Sequence, residues 1–187
     1  KYYNISPYVY VANNPMNAVD LRGDTITTMI DGTQYTWGSV DGTYGFIGAD
    51  GALYSGNNSY ANSLTKALNK LRSKDVGRAL VDYLAGDAGK VEIGDVRRNK
   101  DGKALDGNSA SKDGTFIAWN PDNWNGGPDT NGGNKRNPFI GLGHEMAHTE
   151  DIWKGTYIDK EWVKIGLKSV PEADKYATHI ENQLRSE

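Results

Sequence analysis

The chain has 187 residues, of which 37 % are hydrophobic and 24 % charged, with a formal net charge of −3. That length suits one well-packed domain, and the composition is that of an ordinary soluble globular protein. The charge gives no electrostatic ground for nucleic acid or an anionic membrane as partner, and no run of about 18 apolar residues exists to span a bilayer.

Cysteine is absent, which removes disulfides and thiolate ligands, so any metal must be held by His, Asp or Glu. Five Trp and eleven Tyr suit an amphipathic groove, although plain packing is the simpler account. The chain opens Lys1-Tyr2-Tyr3-Asn4 with neither a Met nor a signal peptide, as a piece cut from something longer would.

The first 24 residues read differently from the rest. Tyr8 to Ala12 is a short strand-like run, and Asn13-Asn14-Pro15 is a turn signal. Strands are expected over Thr25–Ile30 and Gln34–Trp37, joined by the hairpin dipeptide Asp31-Gly32. Tyr44–Ile47 and Ala52–Tyr54 extend the same antiparallel sheet, with Asp50-Gly51 as a further turn.

Helical spacing begins after Asn58 or Ser59, either of which suits an N-cap, with Leu64, Leu68 and Leu71 on one face. A second helix is expected from Val76 to Leu84, ended by Gly86. Val91–Ile93 and Thr115–Trp119 read as strands, and the stretch from Asp122 to Asn137 is too rich in Asn, Gly and Asp for regular structure. A helix from about Pro138 to about Trp153 and another from Pro171 to about Arg185, capped by Ser169, complete the chain.

The first of these two helices carries His144-Glu145-Met146-Ala147-His148. Residues four apart share a helix face, so both imidazoles can reach one Zn²⁺. Glu145, rotated by about 100°, sits beside the metal, where it can take a proton from the water that the metal activates. Leu142, Met146 and Trp153 on the opposite face would bury the helix, and Gly141 and Gly143 would admit a close neighbour.

Asp151 and Lys154 stand where a metzincin would place its Gly and third His, and a deformylase-type site would need a Cys. The third ligand should therefore be a carboxylate or His179 of the last helix. On a helical wheel Ala173, Ala177, Ile180 and Leu184 form a buried stripe. Asp174, Thr178, Glu181 and Arg185 lie beside it, with Glu181 nearest the core edge. Glu181 is the expected third ligand and Asp174 the next candidate, the other of the two orienting a zinc histidine from behind. His179 falls on the far side as a surface histidine. Tyr176 reads as a packed tyrosine, with stabilisation of an oxyanion as its alternative.

Two resemblances cover different parts of the chain. Ser6-Pro7-Tyr8, Asn13-Asn14-Pro15 and Asn17-Ala18-Val19-Asp20 resemble the end of the core of RHS/YD-repeat proteins, which form a shell followed by variable toxin domains. Where that family usually has Asp-Pro-x-Gly, this chain has Asp20-Leu21-Arg22-Gly23, which weighs against autoproteolytic release at this point.

The remainder, at Gly141–His148 and at Glu181-Asn182-Gln183-Leu184-Arg185, resembles the M91 zinc metallopeptidases. The resemblance implies a toxin or effector that is secreted or delivered into a target cell. It also implies a protein substrate, a cognate immunity protein, and an RHS shell in the parent chain.

The expected protein is thus an RHS leader over residues 1–24 and a zinc metallopeptidase domain over 25–187. Its fold should be α+β and zincin-like: a small, mostly antiparallel sheet on the metal helix and a C-terminal helix. Zn²⁺ would be held in gluzincin fashion by His144, His148 and Glu181, with Glu145 as general base. Thr115–Trp119 would be the sheet edge along which substrate pairs. A non-catalytic metal-containing binding module is the rival reading, and a zinc hydrolase acting on a non-peptide bond is a third.

Overall fold

A computed structural model describes residues 25–86, 89–95, 107–126, 134–166 and 168–187. The leader expected over residues 1–24 lies outside the described residues, and with it the boundary expected at its end.

The element order is β1 (Thr25–Ile30), β2 (Thr33–Val40), β3 (Thr43–Ile47), α1 (Ser59–Arg72), α2 (Asp75–Leu84), β4 (Lys90–Asp95), β5 (Ser109–Ala110), β6 (Phe116–Trp119), α3 (Pro138–Trp153), β7 (Glu161–Ile165), β8 (Lys168–Pro171) and α4 (Ala173–Ser186). Strands β1 to β6 form one sheet in the order β3-β2-β1-β4-β6-β5, while β7 and β8 pair separately. In the large sheet β1–β2, β2–β3 and β5–β6 are antiparallel, whereas β1–β4 and β4–β6 are parallel. This is the expected α+β arrangement of a mostly antiparallel sheet on the His-Glu-x-x-His helix and a C-terminal helix.

Local chemistry accounts for several boundaries. Asp31-Gly32 and Asp41-Gly42 take positive φ (50° and 82°, 49° and 79°), as the tight turns of two right-twisted hairpins require. Asn58 caps α1 by accepting from the Ala61 N–H at 3.1 Å, and its own amide donates to Asp31 of the first hairpin turn. Asn137 caps α3, and Pro138 fills the first turn, where a missing N–H costs nothing.

Three expectations fail. Ala52–Tyr54 makes only an isolated bridge between Leu53 and Ile47, because the chain leaves the sheet to enter α1. Ser169 does not cap the last helix; it lies in β8 with its hydroxyl donating to Glu161, and α4 starts after Pro171 and Glu172. Strand β6 is not the sheet edge, since β5 pairs along it through Ser109↔Ala118 and Ala110↔Ile117.

The core lies between the sheet and the helices. Ile26, Phe46, Ile93, Ile117 and Trp119 of the sheet meet Leu64, Leu68 and Leu71 of α1 and Leu80 and Leu84 of α2. Helix α3 runs through this core and is buried on almost every side, with Leu142, Met146 and Ala147 fully enclosed. Its start is pinned by the Trp119 indole N–H, which donates to the Pro138 carbonyl at 3.0 Å. Ala173, Ala177, Ile180 and Leu184 form the buried stripe of α4, and His179 is exposed, both as expected.

Candidate active site

Two glycines set the distance between α3 and its neighbours. A Cβ on Gly143 would stand 2.6 Å from Leu184 of α4, and one on Gly141 would stand 2.6 Å from the Asn108 amide. With these positions bare, the helices close up and the polar stripe of α4 faces the histidines of α3.

The two imidazoles converge. Nε2 of His144 and Nε2 of His148 are 3.2 Å apart, and Asp174 Oδ1 lies 3.1 Å from the second and 3.7 Å from the first. Among the described residues these three form the one cluster of potential metal ligands. Ligand bonds of about 2.0–2.1 Å at tetrahedral angles separate donor atoms by about 3.4 Å, so the observed spacings bracket what zinc would need. Two imidazole nitrogens and a carboxylate oxygen are also the donor types that zinc takes.

Glu181, the expected third ligand, takes another position. Its Oε2 lies 3.2 Å from Nδ1 of His144, on the side of the ring away from Nε2. The same oxygen accepts from Arg136 at 2.5 Å, and Oε1 accepts from Arg185 at 2.5 Å. Asp174 and Glu181 share a face of α4, but seven residues separate them along the axis, roughly 10 Å. Only the first-turn Asp174 therefore comes level with the Nε2 pair.

The electrostatics follow from these contacts. Burial opposes charge on His144, but the carboxylates of Asp174, Glu181 and Glu145 outweigh it and raise the pKa to about 9. The imidazoles of His144 and His148 hold Asp174 well below the usual carboxylate range. Burial would raise Glu181, yet His144, Arg185 and Arg136 bring it down to about 2. Glu145 is 6 % exposed, and its burial raises its pKa against the pull of the neighbouring cations. The Ala110 N–H of β5 faces the Glu145 carboxylate.

These groups line a cleft of ≈ 1140 Å³, bounded on one side by β5 and the Asn120–Gly126 loop and on the other by the β7–β8 hairpin and α4. Tyr157, not singled out in the sequence, lines the cleft with its ring edge-on to His148 (centroids 6.1 Å), and its hydroxyl has no partner among the described residues. Burial, and then the surrounding carboxylates from Asp159 onward, raise its pKa, so the phenol stays a donor. Tyr176 instead donates to Glu150 at 2.5 Å away from the cleft, as a packed tyrosine would.

Arg136 was missed as well. The available signal was a lone arginine next to the Asn137 cap of the motif helix. No helix among the described residues is long and apolar enough to cross a membrane.

No curated protein and no solved structure matches the chain. A family model does: Peptidase_M91, described as effector protein, matches residues 49–182, a span that takes in α1 to α3, the cleft and most of α4. The chain therefore belongs to the M91 peptidase family of effector proteins.

Proposed function

We propose that this protein is a zinc-dependent endopeptidase whose metal is held by His144, His148 and Asp174. The observation that carries this reading is the convergence of those three donors beside the buried carboxylate of Glu145 in an open cleft. The assignment gives Asp174 the ligand role expected of Glu181. Zinc bound there would polarise the scissile carbonyl and acidify a water.

The chain's own residues supply the rest. Glu145, with its pKa raised by burial, accepts the proton of the attacking water and returns it to the leaving amine. Tyr157, whose hydroxyl has no partner among the described residues, donates it to the carbonyl oxygen as that oxygen gathers negative charge. Glu181, clamped by Arg136 and Arg185, sits against Nδ1 of His144 and fixes the direction in which Nε2 points. The outer edge of β5 replaces β6 as the strand along which an extended substrate pairs its backbone.

The family description supports a role as an effector. We assign the protein to the secreted or delivered bacterial toxins, with a protein substrate in the target cell and an immunity protein in the producer. The RHS-like leader would tie the domain to a shell in its parent chain.

Elemental analysis beside a peptidase assay tests the reading. Glu145→Gln should keep about one zinc per chain and lose hydrolysis by roughly 10²–10⁴-fold or more. Wild-type protein that takes up no supplied zinc, or a Glu145→Gln variant as active and toxic as wild type, would give precedence to a non-catalytic binding module.

A further inference from the structure

The cleft differs in chemistry at its two ends. Toward the C-terminal end of α3 it is walled by Ile152, Tyr157, Trp162, Val170 and Pro171, a mainly apolar ledge to which the β7–β8 hairpin contributes the last three. Trp162 is 51 % exposed, and the Lys175 ammonium lies 5.1 Å from its ring centre, which braces one face of the ring. With Val163 of the hairpin also exposed, and Ile158 exposed just before β7, this side of the molecule displays more apolar surface than a two-stranded ribbon needs for its own pairing.

Toward the N-terminal end of α3 the lining is amide-rich: Asn108, Asn120, Asn123, Asn125 and Asn182. Two of these amides have their carbonyl oxygens engaged in local turns. Asn120 accepts from the Asp122 N–H at 2.9 Å and Asn123 from the Asn125 N–H at 3.0 Å. Their NH₂ groups have no partner among the described residues and remain as donors. Among the described residues that wall carries one large apolar side chain, Trp124.

His144 and Glu145 lie between the two ends. From Gly141, against which Asn108 and Arg136 lie, to Ile152 is roughly 16 Å along the helix. An extended chain covers that in about five residues.

We propose that the cleft selects an extended polypeptide of about five residues with a large apolar side chain on the hairpin side of the scissile bond. A polar, oxygen-bearing side chain fills the amide end, and Trp162 is the residue that determines the apolar preference. A chain of uniform polarity leaves either the ledge uncovered in water or the amide donors without acceptors, and each outcome costs binding. The proposal rests on the endopeptidase reading for the cut but not for the binding.

The test uses the zinc-loaded protein and a pooled library of quenched fluorescent decapeptides, with cut sites read by mass spectrometry. Large apolar residues should be enriched at one fixed position on one side of the cut, with polar residues on the other. For the best peptide, Trp162→Ala should raise KM about tenfold or more with kcat nearly unchanged. A matched peptide with Gly at the apolar position should change less than about twofold, and Trp162→Phe should recover most of the loss. Trp124→Ala should leave the ranking of the two peptides unaltered. Equal losses on both peptides in Trp162→Ala, or an unchanged preference, overturn the proposal.

Binding of the same two peptides to zinc-loaded Glu145→Gln separates this inference from the one beneath it. A Trp162-dependent preference in binding without any cleavage by wild type upholds the selection and removes the peptidase reading. Cleavage with no such preference does the reverse.

Discussion

Glu181 lies 3.2 Å from Nδ1 of His144, on the opposite side of that ring from the nitrogen that meets His148 and Asp174. One imidazole thus has a carboxylate at each nitrogen, and the two carboxylates predict different phenotypes. Asp174→Ala should lose bound zinc outright under conditions that saturate wild type. Glu181→Gln should still fill at high zinc but bind it roughly 10–100-fold more weakly. Competition with a chromophoric chelator measures both, and full zinc affinity in Asp174→Ala would return the ligand role to Glu181.

The metal-stripped protein should lose stability as pH rises. His144 has a folded pKa of about 9 against an ordinary 6.5, so its contribution is fully present below about pH 6.5 and is lost as pH passes through 9. Thermal unfolding of chelator-treated protein should show Tm falling over that window, and His144→Asn should flatten the fall. Restoring zinc should remove it too, because ligation needs the neutral ring.

Gly143→Ala should destabilise the protein by about 1–3 kcal/mol through overpacking, since the new methyl would stand 2.6 Å from Leu184 Cδ1 and 3.2 Å from Leu71 Cδ2. Chemical denaturation measures this. Combining it with Leu184→Ala, which opens the opposing space, should recover part of the loss, and strict additivity would argue against a clash.

Tyr157→Phe should leave zinc content, Tm and KM near wild type while lowering kcat by roughly 10²-fold, the scale of losing one oxyanion donor. Tyr176→Phe should leave kcat unaltered and lower Tm, because its hydroxyl serves Glu150. A kcat effect confined to Tyr176 would reverse the two roles.

The parts of the fold legible in the sequence are those with strong local chemistry. Strand β1 and helix α3 begin and end where their patterns said, since Asp31-Gly32, Asn137 and Pro138 are boundary signals in themselves. The β7–β8 hairpin went unread: Trp162, Val163 and Lys164 give no clean alternation, and a bulge lies between Glu161 and Val163. Two-residue β5 is too short to leave a pattern, and so β6 looked like an edge.

At the site, the wheel correctly put Glu181 at the core edge, where it is 5 % exposed. Burial and ligation are separate matters, however. A wheel records angle and not height, so it ranked Glu181 ahead of Asp174 by closeness to the core and could not register that the two stand at different levels along α3. Tyr157 is brought in by tertiary packing and had no motif to announce it, whereas Arg136 had only its place beside the Asn137 cap.

The β7–β8 hairpin also divides the proposed donor set. His144 and His148 precede its turn at Gly166, and Asp174 follows it. A backbone cut at that turn would give two pieces, one holding the histidines and one the aspartate, neither sufficient alone. The turn is thus a natural seam for a split reporter, in which recovered zinc binding signals that the two pieces have found each other again.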